Sequence, residues 1–265
     1  MVLDTPKIMG ILNLTPDSFY DGGKFTNDNY LQHVEQMLND GADIIDVGGM
    51  SSRPGATIIS IKEELKRVIE PVQNIRKHFP EAVISIDTVH AKVAKLSVQS
   101  GADIVNDISA GRLDTEMLKT VGKLNVPYIL MHMLGEPNNM QLNPTYKNVT
   151  LEILDFFIDK VKACRAAGIK DVVIDPGFGF GKTIEHNYTL LQHIEDLDML
   201  ELPVLIGISR KSMIYKFLNI NANDSLSATS ALHMVALQKG ANLLRVHDVK
   251  EAKQCIDLYL QLINS

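Results

Sequence analysis

Cysteine is scarce in this chain, with only Cys164 and Cys255 among 265 residues. They lie far apart and outside any Cys-x-x-Cys spacing. That argues against a zinc site and a dithiol redox motif, and leaves two reduced thiols on helices. A surplus of positive charge is also lacking. The formal net charge is −6 and the isoelectric point lies near 5.7. This balance argues against nucleic acid or a polybasic membrane contact as partner. It leaves room for an anionic small molecule held in a local cationic pocket. No apolar run approaches the ~18 residues of a membrane span. Residues 1–10 lack the basic-then-apolar pattern of a secretory signal, so the expectation is a cytoplasmic protein. No linker, charge block or low-complexity stretch interrupts the chain, and residues 1–265 are read as one domain.

What is present is a repeated unit. Gly41-Ala42-Asp43-Ile44-Ile45-Asp46, Gly101-Ala102-Asp103-Ile104-Val105-Asn106 and Gly240-Ala241-Asn242-Leu243-Leu244-Arg245 follow one plan, and a looser copy runs from Gly168 to Asp175. Each opens with a glycine after a helical pattern, which suits the left-handed residue that ends a helix. A short branched apolar run follows, which suits a strand buried on both faces. Eight such strands are expected at residues 7–14, 43–48, 82–87, 103–107, 127–133, 171–175, 203–209 and 242–246, with helices between them. Alternating strand and helix define a parallel α/β fold. Eight units over 265 residues favour a closed TIM (β/α)8 barrel, which takes ~250 residues, over an open sheet.

Among the helices, Ser60-Ile61-Lys62-Glu63 reads as a capping box. Ile61, Leu65, Ile69, Val72, Ile75 and Phe79 then recur at helical spacing, with a kink or break expected at Pro71. Leu151, Leu154, Ile158 and Val161 mark a second apolar stripe, and Ala252, Ile256, Tyr259 and Ile263 a third.

A barrel carries its site at the C-terminal ends of its strands. Those ends supply Asn13, Asp46, Asp87, Asn106, His132, Asp175, Lys211, Arg245 and His247. Any one of them could cap a helix or pair with a neighbour, but their convergence at one rim points to a site. Asp87, Asn106 and Asp175 offer acceptors that suit a flat, nitrogen-rich heterocycle. Arg53, Lys211, Arg245 and His247 are cationic or able to become so, and suit a phosphate or diphosphate. The run from Asp175 to Thr183 resembles a phosphate-binding P-loop but has Pro176 where the motif needs glycine. It reads instead as a flexible glycine-rich loop after the sixth strand. Met131-His132-Met133 reads as core or pocket wall rather than a soft-metal site. His247, two residues from Arg245 on the same strand face, is read as a ligand contact, with a buried, satisfied histidine as the alternative.

Together these motifs resemble the dihydropteroate synthases. The resemblance is carried by Met9-Gly10-Ile11-Leu12-Asn13-Leu14-Thr15-Pro16-Asp17-Ser18-Phe19, by Ile45-Asp46-Val47-Gly48-Gly49 with Ser52-Arg53-Pro54-Gly55-Ala56, and by Ile86-Asp87-Thr88 and Asn106-Asp107. Leu130-Met131-His132-Met133, Asp175-Pro176-Gly177-Phe178-Gly179-Phe180-Gly181-Lys182, Ser209-Arg210-Lys211-Ser212 and Arg245-Val246-His247-Asp248-Val249 complete it. The resemblance implies joining of 6-hydroxymethyl-7,8-dihydropterin diphosphate to para-aminobenzoate, with diphosphate leaving before the amine attacks, in a homodimeric enzyme of folate biosynthesis that is a sulfonamide target. It implies Asp87, Asp175 and Lys211 as catalytic residues and Asn13 as the Mg²⁺ ligand at the diphosphate. Asp87, Asn106 and Asp175 then hold the pterin, and Lys211 borders it. Arg53, Arg245 and His247 meet the diphosphate, Phe19, Pro54 and Ser212 surround the aminobenzoate, and Ser52, Met131 and Val246 join the substrate-binding set. The loops after the first two strands are mobile in relatives. Where relatives commonly read Gly-Gly-Glu-Ser-Thr-Arg, this chain has Met50 and Ser52, which removes a carboxylate and a methyl from the second loop. Methyl transfer to a corrinoid protein, a silent pterin-binding scaffold and a metal-dependent aldolase are the competing readings. The first has no need of the cation set.

Overall fold

The computed structural model describes residues 3–15, 29–51, 53 and 55–265. Phe19, Ser52 and Pro54 therefore lie outside the described residues, as does most of the first of the two loops. Eight strands run in order: β1 (Lys7–Asn13), β2 (Ile44–Gly48), β3 (Val83–Asp87), β4 (Ile104–Asp107), β5 (Tyr128–Met131), β6 (Val172–Asp175), β7 (Leu205–Ile206) and β8 (Leu243–Val246). Helices α1 (Asn29–Asn39), α2 (Ile61–His78), α3 (Ala91–Gln99), α4 (Met117–Leu124), α5 (Val149–Ala166), α6 (Ile184–Gln192), α7 (Ser212–Tyr215), α8 (Leu226–Gln238) and α9 (Val249–Ile263) lie between and after them. Every strand pair is parallel, and the order β6-β5-β4-β3-β2-β1-β8-β7 wraps round on itself. A bridge between Ile174 and Val204 closes β6 onto the start of β7. The expected barrel is the observed one.

The repeat glycines do what their position requires. Gly41, Gly101, Gly168 and Gly240 all take positive φ, between 87° and 118°. Side chains then alternate along each strand. Ile8, Ile45, Ile84, Val105, Leu130, Val172 and Leu244 point outward into the core shared with the helices. Met9, Ile44, Val83, Ile104, Ile129, Val173, Leu205 and Leu243, one from each strand, point inward and close the barrel with an apolar floor. Full burial of one such side chain contributes roughly 1.5–3 kcal/mol.

Three expectations about helices are corrected. α2 runs unbroken through Pro71, because Val68, Val72 and Ile75, on both sides of it, are fully buried against the barrel. The Ser60 box is half formed: Ser60 accepts from the Glu63 amide at 3.3 Å, but the Glu63 carboxylate turns to Arg67 at 2.9 Å. On α5, Leu151 and Ile158 are about half exposed, and the buried stripe is Val149, Ile153, Leu154, Phe157 and Cys164. The third stripe holds at Ala252 and Ile256, while Ile263 is exposed.

Candidate active site

Moving along a strand from the floor by two residues reaches the next inward position, and the chemistry changes there. Above Ile44 comes Asp46, above Ile104 comes Asn106, above Val173 comes Asp175, and above Leu243 comes Arg245. Asp87 stands four residues above Val83, and Asn13 four above Met9. Asp46, Asp87, Asn106 and Asp175 are all buried. The structure thus brings the acceptor set together on the inner wall of the rim.

Arg245 ties that wall together. Its Nε donates to Asp46 Oδ2 at 2.7 Å and its Nη2 to Asp87 Oδ2 at 2.9 Å. Asn106 Nδ2 donates to the same Asp46 oxygen at 3.1 Å. Burial pushes the Asp87 carboxyl up to about 7, against the pull of Arg245. Burial also raises Asp175, which is held by the Gly177 amide at 2.7 Å and the nearby Lys211 charge. Arg245, by contrast, is kept cationic by its two carboxylates.

Lys211 enters from the turn after β7. Burial lowers it to about 8 while Asp175 holds it up. Its ammonium donates to the Phe178 carbonyl and lies 4.7 Å from the centre of the Phe180 ring. The turn before it carries Arg210 at a φ of 52°, a conformation costly for a side-chain-bearing residue. A two-pronged pair with Asp248, at 2.7 and 2.8 Å, anchors Arg210. That pair links the Lys211 turn to the segment after β8. Ser212 opens α7 directly behind Lys211.

The glycine-rich run after β6 is held by close backbone approaches and by hydrogen bonds. Gly177, Gly179 and Gly181 all take positive φ. A Cβ on Gly177 would fall 1.9 Å from the His132 carbonyl oxygen, so no larger residue fits. Lys182, which the P-loop comparison passed over, is buried. Its ammonium contacts His132 Nδ1 at 3.0 Å, Gly177 O at 2.9 Å and Phe180 O at 3.1 Å. Three acceptors fill its three N–H bonds. The signal for this role was the single lysine at the end of a glycine run with no phosphate motif to serve.

Several expected site residues are placed elsewhere or act otherwise. Val246 lies between the inward Arg245 and His247, so alternation turns its side chain outward into the helix-facing core. It offers the site no side chain. His132 is likewise one residue past the inward Met131. It packs edge-on against Phe156 of α5, ring centres 4.9 Å apart, and serves Lys182. His247 is not a ready cation: burial first, then Arg245, pushes it down to about 3. Its Nδ1 lies 3.2 Å from Ser209 Oγ, and it stands at the rim as a neutral imidazole. Arg53 is exposed, yet its charge reaches His247. Met131 is buried with Met50, Met133 and Met140 in an apolar cluster beside the rim. Met50 therefore adds a thioether, rather than a carboxylate, to that cluster.

Asn13 was expected to hold Mg²⁺. Gly48 leaves a gap beside it: a Cβ there would lie 3.5 Å from Asn13 Oδ1 and 3.7 Å from Asp87 Oδ2. Among the described residues no group of three His, Cys, Asp or Glu could cage a metal. One amide oxygen beside a carboxylate fits a Mg²⁺ ion that keeps its waters and binds mainly through a substrate phosphate.

The architecture is that of a (β/α)8 enzyme, and its rim, with acceptors beside cations, suits a donor-rich heterocycle and an anion. A family profile described as "Pterin binding enzyme" matches residues 9–247. The Escherichia coli K12 dihydropteroate synthase is 44% identical over 257 residues, covering 96% of this chain and 90% of the relative. The Yersinia pestis dihydropteroate synthase, solved with a sulfonamide drug, superposes with a TM-score of 0.96 at 42% identity, over 100% of this chain and 97% of that one. The Xanthomonas albilineans dihydropteroate synthase in complex with 7,8-dihydropteroate gives 0.88 at 34% identity, over 100% and 96%. The chain belongs to the pterin-binding enzymes and, within them, to the dihydropteroate synthases.

Proposed function

We infer that this chain joins 6-hydroxymethyl-7,8-dihydropterin diphosphate to para-aminobenzoate, giving 7,8-dihydropteroate and diphosphate. The observation that carries this reading is the rim itself, where buried acceptors on β3, β4 and β6 face Lys211 and Arg245. Asp87, Asn106 and Asp175 accept from the ring N–H and amino groups and orient the pterin. The negative charge of Asp87 and Asp175 favours the cation left on the exocyclic carbon when its C–O bond breaks and the electron pair departs with diphosphate. Arg245 keeps donors beyond the two given to Asp46 and Asp87. With Arg53 and the neutral N–H of His247, it receives the charge developing on the leaving oxygen. Lys211, held between Asp175 and the Phe178 carbonyl, borders the ring. The amine nitrogen then bonds to the carbon and loses its proton to solvent, because an aniline is already a usable nucleophile at neutral pH. Asn13, beside Asp87, would hold Mg²⁺, which when bound neutralises charge on the diphosphate. Phe19, Ser52, Pro54 and Ser212 would line the aminobenzoate side.

A homodimer in the cytoplasm completes the reading. Phe217, Leu218 and Ile220, with Leu258 and Leu262 on α9, expose apolar surface that a second copy would cover. No described helix is long and apolar enough to cross a membrane.

The test is an assay that follows pyrophosphate and dihydropteroate together with purified protein, both substrates and Mg²⁺. Equal release of both products, lost on chelation and in Lys211→Ala, is the expected result. Pterin binding without either product would refute the reaction.

A further inference from the structure

We propose that Asp46 is a positioning residue that sets which atoms the pterin pocket presents, by fixing both the amide of Asn106 and the guanidinium of Arg245 through one carboxylate oxygen. The proposal rests on the pterin reading above and deepens it. Asp46 Oδ2 accepts from Asn106 Nδ2 at 3.1 Å and from Arg245 Nε at 2.7 Å. A carboxylate that already receives a guanidinium only accepts, so it decides the amide's orientation. The nitrogen of Asn106 must face Asp46, and its carbonyl oxygen turns the other way. The pocket thereby receives three acceptors, from Asp87, Asn106 and Asp175. Without Asp46, the Asn106 amide is free to rotate and show a donor where a ring N–H must be met. The same bond keeps Arg245 on the Asp46–Asp87 side of the rim.

Packing does not account for Asp46. It is fully buried, and its Oδ1 has no hydrogen-bond partner, an arrangement that is costly to bury. On β1 and β5 the inward position two residues above the floor is filled by Ile11 and Met131, both buried. A carboxylate in this layer is explained by the two side chains it orients.

The test is calorimetric binding of 6-hydroxymethylpterin to four proteins: wild type, Asp46→Asn, Asn106→Ala and the double variant. Asp46→Asn weakens binding by about 10- to 100-fold, the scale of a lost charged hydrogen bond. In the Asn106→Ala background no amide is left to orient. The same change at Asp46 then costs less than about threefold, a coupling that independent sites do not show. Unchanged affinity in Asp46→Asn, or an equal further loss in the Asn106→Ala background, overturns the proposal while leaving the pterin reading intact. Absence of pterin binding by wild type overturns both. If Asp46→Asn fails to fold, the side-chain amide resonances of Asn106 in the wild-type protein decide. Slow exchange of those N–H protons in the ligand-free protein supports the proposal, and fast exchange contradicts it.

Discussion

The floor and the rim of this barrel lie on the same strands, two or four residues apart, and share the same alternation. At the floor, Met9, Ile44, Ile104, Ile129, Val173, Leu205 and Leu243 are buried and apolar. At the rim, Asp46, Asp87, Asn106 and Asp175 are nearly as buried and polar throughout. Burial therefore means different things at the two ends. Below, it contributes stability by removing apolar surface from water. Above, it is a cost, visible in the raised carboxyls of Asp87 and Asp175 and the lowered ammonium of Lys211. The cost is offset locally by Arg245, by the Gly177 amide and by carbonyls of the glycine-rich loop. A fold that separates the two roles by one or two inward steps of the strand can tune its site without touching its core.

This comparison breaks most visibly if rim substitutions unfold the protein or floor substitutions alter its chemistry. Lys211→Ala and Asp175→Asn are expected to lower kcat/KM by about 10²–10³, the scale of losing one fixed electrostatic group, with melting temperature close to wild type. Ile129→Ala at the floor is expected to cost about 2–5 kcal/mol of stability, measured by urea unfolding, while the folded fraction keeps its kcat/KM.

The pH dependence sharpens the contrast. kcat/KM should rise as Asp87 ionises near 7 and fall as Lys211 loses its proton near 8, giving a narrow optimum between them. The stability consequence of Asp87 has the opposite sense. A carboxyl raised in the folded state binds a proton that the unfolded chain gives up near ~3.9. Its contribution is therefore full below that value and lost as pH rises through about 7. Asp87→Asn should flatten this decline in unfolding free energy across the same range, even as it impairs turnover. A steeper decline in the variant would contradict the assignment.

The smallest effect belongs to the outer layer. Leu151→Ser should change stability by less than about 0.5 kcal/mol, as befits a half-exposed position. That position marks where sequence periodicity went astray. Leu151, Leu154, Ile158 and Val161 satisfy helical spacing, but the neighbouring stripe through Ile153 and Phe157 satisfies it too. The barrel's geometry chose the latter. The eight strands and the repeat glycines were legible because a strand buried on both faces leaves an unbroken apolar run and a helix end demands positive φ. The rim acceptors were legible because several such runs end in a polar residue and a barrel gathers those ends at one rim. Val246 and His132 carry side chains turned outward, because side chains alternate along a strand and residue type does not show on which face each falls. The neutral state of His247 depends on burial and on Arg245, and the role of Lys182 depends on carbonyls of its own loop. Neither is encoded by residue type.

The most direct test of the account is a crystal structure with 6-hydroxymethyl-7,8-dihydropterin diphosphate bound. The ring edge is predicted to meet Asp87, Asn106 and Asp175 above the apolar floor, with the diphosphate on the side of Arg245 and His247. A diphosphate seated on the glycine-rich loop, or a ring bound anywhere but the inner wall of the rim, would contradict it.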